Sequence, residues 1–488
     1  MAFSQTSQMW PCAGSQSDAT LGLVVKKLFV CLILAALAAL LILRFRPEAE
    51  VLPSLQPYPE LSALFEKART TPDLASAVIG FCLLNDAGEV LFEQNSHTAF
   101  IPASTLKTVT TATALEKWGP DFRIETTLLS TAPIQAGIIQ GDVVIKGGGD
   151  PTLSLQDLQA WVEALQKAGL KQITGRIIGD GRLFKESIYD DFWDWGDIGN
   201  GYGSGVSGLN LEHNRYTASF QPAAQEGTLS TFVGASPVVP EVQWINEVST
   251  GPAGSGDGVM IHGGEHTHPL HLRGTIPMNG GEFQVEGAVP DPELYAAFHL
   301  RALLIEAGIT VDGAAEAAYG KKVPEAKEHL HTHQSPPLIE IINSIHATSD
   351  NHETECLYRL LGILENRTSA EVVREHWENR ELTFEGLRME DGCGLARADF
   401  IRPLDLTKLQ HLANTGPHGE LYRESLIPSQ DGLLRWKPGG MSGIRCYTGL
   451  AQSRSGKKFS FTIMMNHFRD SSAASALWAQ LQEVLIGL

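Results

Sequence analysis

A serine hydroxyl becomes a nucleophile when a base stands close enough to take its proton. Ser104 and Lys107 have that spacing, because residues i and i+3 share one face of a helix. A buried lysine has a lowered pKa and can act as the base. Ser349-Asp350-Asn351 adds a hydroxyl and an amide two residues apart. In an irregular turn the hydroxyl can relay a proton to a leaving group, and the amide can hold the acyl side of a substrate. Lys437-Pro438-Gly439-Gly440 adds a positive charge that suits a substrate carboxylate. The Gly440 N–H can join that of Ser104 as an oxyanion hole.

Each string has a plainer reading. Ser455 and Lys458 repeat the Ser104–Lys107 spacing in a stretch that reads as a polar hairpin turn, so spacing alone selects nothing. Ser349, Asp350 and Asn351 are all good helix N-caps, and Glu353-Thr354-Glu355 then opens a helical run. Pro438-Gly439-Gly440 reads equally as a turn.

The elements that must position these residues follow from periodicity. Val78–Leu84 and Val90–Glu93 flank Asn85-Asp86-Ala87-Gly88 and read as a hairpin. A small-residue helix runs from Lys107 to Trp118 and is closed by Gly119-Pro120. From Phe122 to Ala288 short β-like runs alternate with Gly, Pro and Ser, interrupted by a helical stretch at Leu155–Lys171. Helical texture returns at Asp291–Gly308 and from Leu338. Strands at Gly443–Asn466 and a helix at Ser472–Leu485 complete the chain. Strand pairs near both ends, with helices between, predict one α/β (α+β) domain split by a mostly β insertion. The expected divisions are a polar tail at 1–25, a signal or anchor segment at 26–46, catalytic parts at 47–121 and 336–488, and the insertion at 122–335.

The 488 residues carry a net charge of 37 − 56 = −19. That argues against a nucleic-acid surface, which needs clustered Lys and Arg. Leu28–Leu43 is an uninterrupted apolar run, preceded by Lys26 and Lys27 and followed by Arg44 and Arg46. Such a run is a signal-peptide core or an uncleaved anchor, and either implies export to the periplasm or another extracytoplasmic space. Its apolar continuation past Ala36-Leu37-Ala38 favours the anchor. The six cysteines show no metal-ligand spacing and read as small buried hydrophobes. His262, His266, His268 and His271 form one histidine cluster; His329, His331 and His333 form another and would share a strand face. Neither has supporting ligand geometry, and no metal or other cofactor is expected.

Taken together and in order, the three strings resemble the D-alanyl-D-alanine carboxypeptidase/endopeptidase family of low-molecular-mass, class C type penicillin-binding proteins. The resemblance covers roughly residues 60–485 and includes the long insertion after the first string. Gly147–Leu153, Asp391-Gly392-Cys393-Gly394-Leu395 and Trp193–Asn210 also look like family segments. It implies a penicillin-recognising serine transpeptidase/β-lactamase-like catalytic domain. Ser104 would be acylated, with Lys107 as general base, Ser349 as proton relay, Asn351 orienting the peptide and Lys437 stabilising charge. Asp197 would meet a peptide ammonium, with Arg397, Gly439 and Met441 beside the same pocket. The implied partners are peptidoglycan stem peptides, with β-lactams as covalent inhibitors. Pro438 departs from the family, which usually has a Thr or Ser hydroxyl there to help bind the terminal carboxylate. Cys393 stands where a Ser is usual and reads as a packing substitution. Two alternatives remain: a catalytically weakened homologue that binds cell wall, for which Pro438 is the support, and a related serine β-lactamase or esterase.

Overall fold

Six antiparallel strands form the sheet on which the site is built. Their order across the sheet is Ile427–Pro428, Leu434–Met441, Ile444–Gln452, Lys458–Asn466, Val78–Asn85 and Val90–Gln94. The computed structural model describes residues 58–278 and 281–488. The 1–25 tail and the 26–46 apolar segment, with Cys12 and Cys31, lie outside the described residues. Among the described residues, no helix is long and apolar enough to cross a membrane.

The central strands are buried on both faces, so their sequences are continuously apolar rather than alternating. Phe461, Ile463 and Met465 pack against the helices Pro59–Thr70 and Ser471–Gly487 through Leu61, Phe65, Trp478 and Leu481. Met464 and Cys446 face the opposite layer, where Leu106, Val109, Leu357 and Leu406 meet. The expected hairpin forms. Asn85 closes it by accepting the N–H groups of Ala87 and Glu89 on its side-chain oxygen, while Gly88 takes φ +80°.

The helix Lys107–Trp118 runs through the middle of this second layer, with every residue from Lys107 to Leu115 buried. Its Thr and Ala side chains are short, so neighbouring helices approach closely. The threonine hydroxyls turn back onto the helix carbonyls or reach neighbours. Gly119 ends it at φ +78°, donating to the Leu115 carbonyl.

Residues 122–335 leave and return side by side. Leu338 N–H donates to the Phe122 carbonyl and Ser335 N–H to that of Ile124. The strand Glu125–Ser130 then pairs antiparallel with Glu328–Gln334. Between them short strands and the helices Leu155–Lys167 and Pro292–Glu306 enclose a separate apolar core, with Trp161, Tyr216, Phe220, Tyr295 and Leu300 at its centre. The first helix stops short of Lys171 because Gly169, at φ +83°, turns the chain.

Lys437-Pro438-Gly439-Gly440 is part of the strand Leu434–Met441, so the plainer turn reading of that string fails; the turn is Ser442-Gly443. One expectation needs correction. The regular alternation expected of His329, His331 and His333 is broken by a register shift between His329 and His331. His331 and His333 pack beside Trp161, and His333 lies 3.4 Å from the Asp150 carboxylate. Cys82, Cys356, Cys393 and Cys446 are buried and unpaired.

Candidate active site

Ser104 sits in a single 3₁₀ turn, Ala103–Leu106, that leads into the Lys107 helix. Ala103 enters the turn at φ +47°, a left-handed conformation that costs an alanine about 1 kcal/mol and persists only under surrounding constraint. Part of that constraint is Gly394, where a Cβ would lie 2.0 Å from the Ala103 carbonyl oxygen.

The Lys107 side chain is fully buried. Its Nζ lies 2.9 Å from Ser104 Oγ, 2.6 Å from Asn351 Oδ1 and 2.6 Å from the Cys393 carbonyl oxygen. Burial pulls its pKa down, although the nearby thiol and carboxylates of Cys393, Asp391, Asp350 and Glu355 oppose the shift. A neutral amine has two N–H groups and one lone pair. The two carbonyl oxygens take the N–H groups, which leaves the lone pair facing the serine hydroxyl.

The second string straddles a helix junction. Ser349 closes the helix Leu338–Thr348 in the left-handed conformation, and Asp350 caps the helix Asn351–Glu365 by accepting from Glu353 N–H. The capping and catalytic readings therefore coexist. The cap is Asp350, and it frees its two neighbours to face the cleft. Ser349 Oγ is 2.7 Å from Lys437 Nζ. Asn351 Nδ2 donates to the Tyr202 carbonyl, and this fixes its Oδ1 toward Lys107.

Lys437 is also fully buried. Burial, then the charge of Lys107, lowers its pKa to about 6. Its Nζ is engaged by Ser349 Oγ and by the Pro438 carbonyl. The short strand Ile427–Pro428 reaches only Arg435 and Trp436, so from Lys437 onward the strand has a free edge. The two-residue turn makes Met441 and Ile444 the closing hydrogen-bonded pair, so Gly440–Arg445 and Pro438–Tyr447 are non-hydrogen-bonded pairs. The N–H of Gly440 therefore points to the free edge. At Pro438 the missing N–H would have pointed the same way, so the proline breaks no ladder bond. Gly439 faces the nucleophile turn: a Cβ there would lie 2.9 Å from Ser104 N and 2.8 Å from Thr105 N. A larger residue would push the strand away from Ser104.

Of the predicted pocket residues, Asp197 and Arg397 lie at Tyr202 and the 193–197 loop. Tyr202 OH donates to Asp197 Oδ1 at 3.0 Å, and burial raises the Asp197 pKa. Arg397 pairs with Asp194 at 3.0 Å. Met441 packs, half-buried, on the catalytic core. Trp193 donates its indole N–H to Asp391.

Several participants carry no motif of their own. The Cys393 carbonyl holds Lys107, and Asp391 holds the Cys393 loop by accepting the N–H groups of Cys393, Gly394, Leu395 and Ala396. The Asp391–Leu395 string was visible in the sequence, but a main-chain carbonyl leaves no residue-type signal. Arg215 pairs with Asp350 at 2.8 Å, and nothing in its local sequence marks it. Of the groups close enough to share a metal ion among the described residues, Glu355, Asp391 and Cys393 form one, and it includes neither histidine cluster.

A family model described as D-Ala-D-Ala carboxypeptidase 3 (S13) matches residues 61–486. A D-alanyl-D-alanine carboxypeptidase of Actinomadura sp. is 26% identical over 430 residues, covering 81% of this chain and 79% of its own. The D-alanyl-D-alanine carboxypeptidase DacB of Haemophilus influenzae is 22% identical over 417 residues, covering 80% and 85%. The crystal structure of penicillin binding protein 4 from Haemophilus influenzae superposes with a TM-score of 0.77 at 20% identity, covering 88% of this chain and 99% of that one. A second structure of that protein, complexed with a β-lactam, gives 0.71 at 19% identity, covering 88% and 100%.

Proposed function

Because this chain belongs to the D-Ala-D-Ala carboxypeptidase 3 (S13) family, we propose that it is a serine D-Ala-D-Ala carboxypeptidase/endopeptidase working through an acyl-enzyme on Ser104. The supporting observation is the fully buried Lys107 amine, 2.9 Å from Ser104 Oγ and with its pKa lowered. Ser104 attacks the carbonyl between two D-alanines of a peptidoglycan stem peptide, and Lys107 takes the hydroxyl proton. The N–H groups of Ser104 and Gly440 receive the developing oxyanion. Ser349, next to Lys437, gives its hydroxyl proton to the leaving amine, and the proton that Lys107 took from Ser104 replaces it, so that Lys107 is neutral again. D-Alanine or the crosslinked strand departs, leaving an ester on Ser104. Water hydrolyses that ester with Lys107 again as base. A β-lactam enters the same first step, and its opened ring stays on Ser104. Asn351 orients the peptide backbone, and Asp197, with Arg397 and Met441 beside it, meets the side chain of the stem peptide.

Residues 47–121 and 336–488 act as one catalytic domain, and 122–335 as a β-rich insertion that supplies the Asp197 loop. The apolar run Leu28–Leu43 carries the chain across the cytoplasmic membrane and anchors it there. Labelling with a fluorescent penicillin tests the mechanism: the wild type acquires label and Ser104→Ala does not. Equal labelling of both would sink the acyl-enzyme.

A further inference from the structure

A carboxypeptidase must recognise the free carboxylate of the residue it removes, and that anion calls for an available cation. Lys107 and Lys437 are buried with lowered pKa values, and each is held by protein oxygens. Arg397 is paired with Asp194. Arg445 differs from all three. Its Nε is buried without a hydrogen-bond partner, and none of the ion pairs among the described residues includes it. A guanidinium offers five N–H donors in a planar fork that matches a carboxylate.

The register places it one strand in from the free edge, directly across from Gly440. Side chains alternate along a strand, so 437 and 439 face the nucleophile turn while 438 and 440 share the other face. Arg445 is the cross-strand partner of Gly440 and stands on that second face. Its guanidinium lies over Gly440, with Nη1 3.0 Å and Cζ 3.5 Å from where a Cβ would be. A Cβ on Gly440 would make the guanidinium give way by a few tenths of an ångström. The same residue offers its N–H to the edge beside Ser104. Position 438, on the same face, is a proline and offers no donor.

We propose that Arg445, lying over Gly440, binds the terminal carboxylate of the substrate and does the work a hydroxyl at position 438 would otherwise do. Arginine and carboxylate form two parallel hydrogen bonds, so one side chain both neutralises and orients the anion. The inference rests on the acyl-enzyme reading above, and the test separates the two.

The second-order rate of Ser104 acylation is measured with benzylpenicillin and with its methyl ester, in which the carboxylate is masked. The full-length wild type should prefer the free acid. Arg445→Ala should lower that preference by about tenfold or more, with Ser104 still acylated by the ester, which shows the cleft to be folded. Arg445→Lys should keep part of the preference. A free-acid preference undiminished in Arg445→Ala would overturn the assignment and leave the acyl-enzyme standing. Absence of Ser104-dependent acylation by either compound would overturn both.

Discussion

Residues 58–121 with 336–488, and the 122–335 segment, contribute to one cleft in different ways. The former supply short contiguous strings whose side chains meet in the cleft: Ser104 beside Lys107, and Lys437 beside Ser349. The 122–335 segment supplies isolated contacts to the second string. The Tyr202 carbonyl holds Asn351, Arg215 holds Asp350, and His213 meets Glu353 at 3.0 Å. A proton transfer needs donor and acceptor within hydrogen-bond reach, and Ser104 and Lys107 have that from nearby positions in the chain. Orientation of the Asn351 helix can be imposed from any part of the chain that folds against it.

If that division holds, removing the base should cost far more than removing a brace. Lys107→Ala should reduce the acylation rate by about 1,000-fold or more, because base and nucleophile act as a unit. Lys107→Arg should not rescue it, since guanidinium does not deprotonate. A loss below about tenfold would move the base elsewhere. Acylation by the wild type should rise with pH through a range below that of an ordinary lysine, since burial lowers the Lys107 pKa and only the neutral amine accepts the proton.

Arg215→Ala tests the other side of the comparison. Its partner Asp350 is nearly buried and its carboxyl pKa is held down, against burial, chiefly by Arg215. Removing the arginine leaves Asp350 short of its charge partner and loosens the junction that carries Ser349 and Asn351. A tenfold or so loss in kcat is expected, with KM little changed and with partial recovery in Arg215→Lys. A change in melting temperature alone, with kcat intact, would make the 122–335 segment a passive platform.

The unequal legibility of the two regions has the same physical origin. Ser104–Lys107, Ser349–Asn351 and Lys437–Gly440 are readable because the chemistry requires those side-chain types at short spacing. The hairpin at Asn85–Gly88 and the helix end at Gly119 are readable because turn and cap chemistry is local. Arg215 pairs with Asp350 across 135 positions, and periodicity carries no information over such a span. The strand at Leu434–Met441 was hidden for another reason. Pro-Gly-Gly normally breaks strands, but here proline lies at a free edge and Gly439 is required by the approach to Ser104 N. His329–His333 misled because a bulge breaks strict alternation.

Acid should strain the two regions in opposite senses. Lys437 has its pKa lowered from 10.5 to about 6 by burial and the charge of Lys107. Between those values the unfolded chain binds more protons, so this group makes stability rise with pH. Lys437→Met should abolish activity yet stabilise the fold near pH 6 by about 1–3 kcal/mol, the gain fading toward pH 10.5. His213 has the reverse sign. Burial lowers its pKa, but Glu353 and Asp350 outweigh burial and the net shift is upward. Its contribution is fully present below about pH 6.5 and is lost as pH rises through the raised value. His213→Asn should therefore cost stability mainly in acid. Denaturant titrations of both variants across pH 5–10 check the signs, and parallel slopes would remove the contrast.

The smallest expected effect is the most informative about spacing. Ser455 and Lys458 repeat the i, i+3 pattern of Ser104 and Lys107. Ser455 lies in the exposed turn between the strands Ile444–Gln452 and Lys458–Asn466, and its hydroxyl pairs with Ser453 Oγ at 2.8 Å. Lys458 is exposed and opens the next strand. No helix aligns the two side chains, and no carbonyl holds the exposed amine against the serine. Ser455→Ala and Lys458→Ala should each leave penicillin labelling within experimental error of the wild type and shift stability by less than about 0.5 kcal/mol. Loss of labelling in either would mean that helix geometry and burial are not what distinguish Ser104 and Lys107. With both variants silent, the same two residue types at the same spacing differ only in having a buried helix start, two carbonyl acceptors for the amine and a glycine strand pressed against the serine.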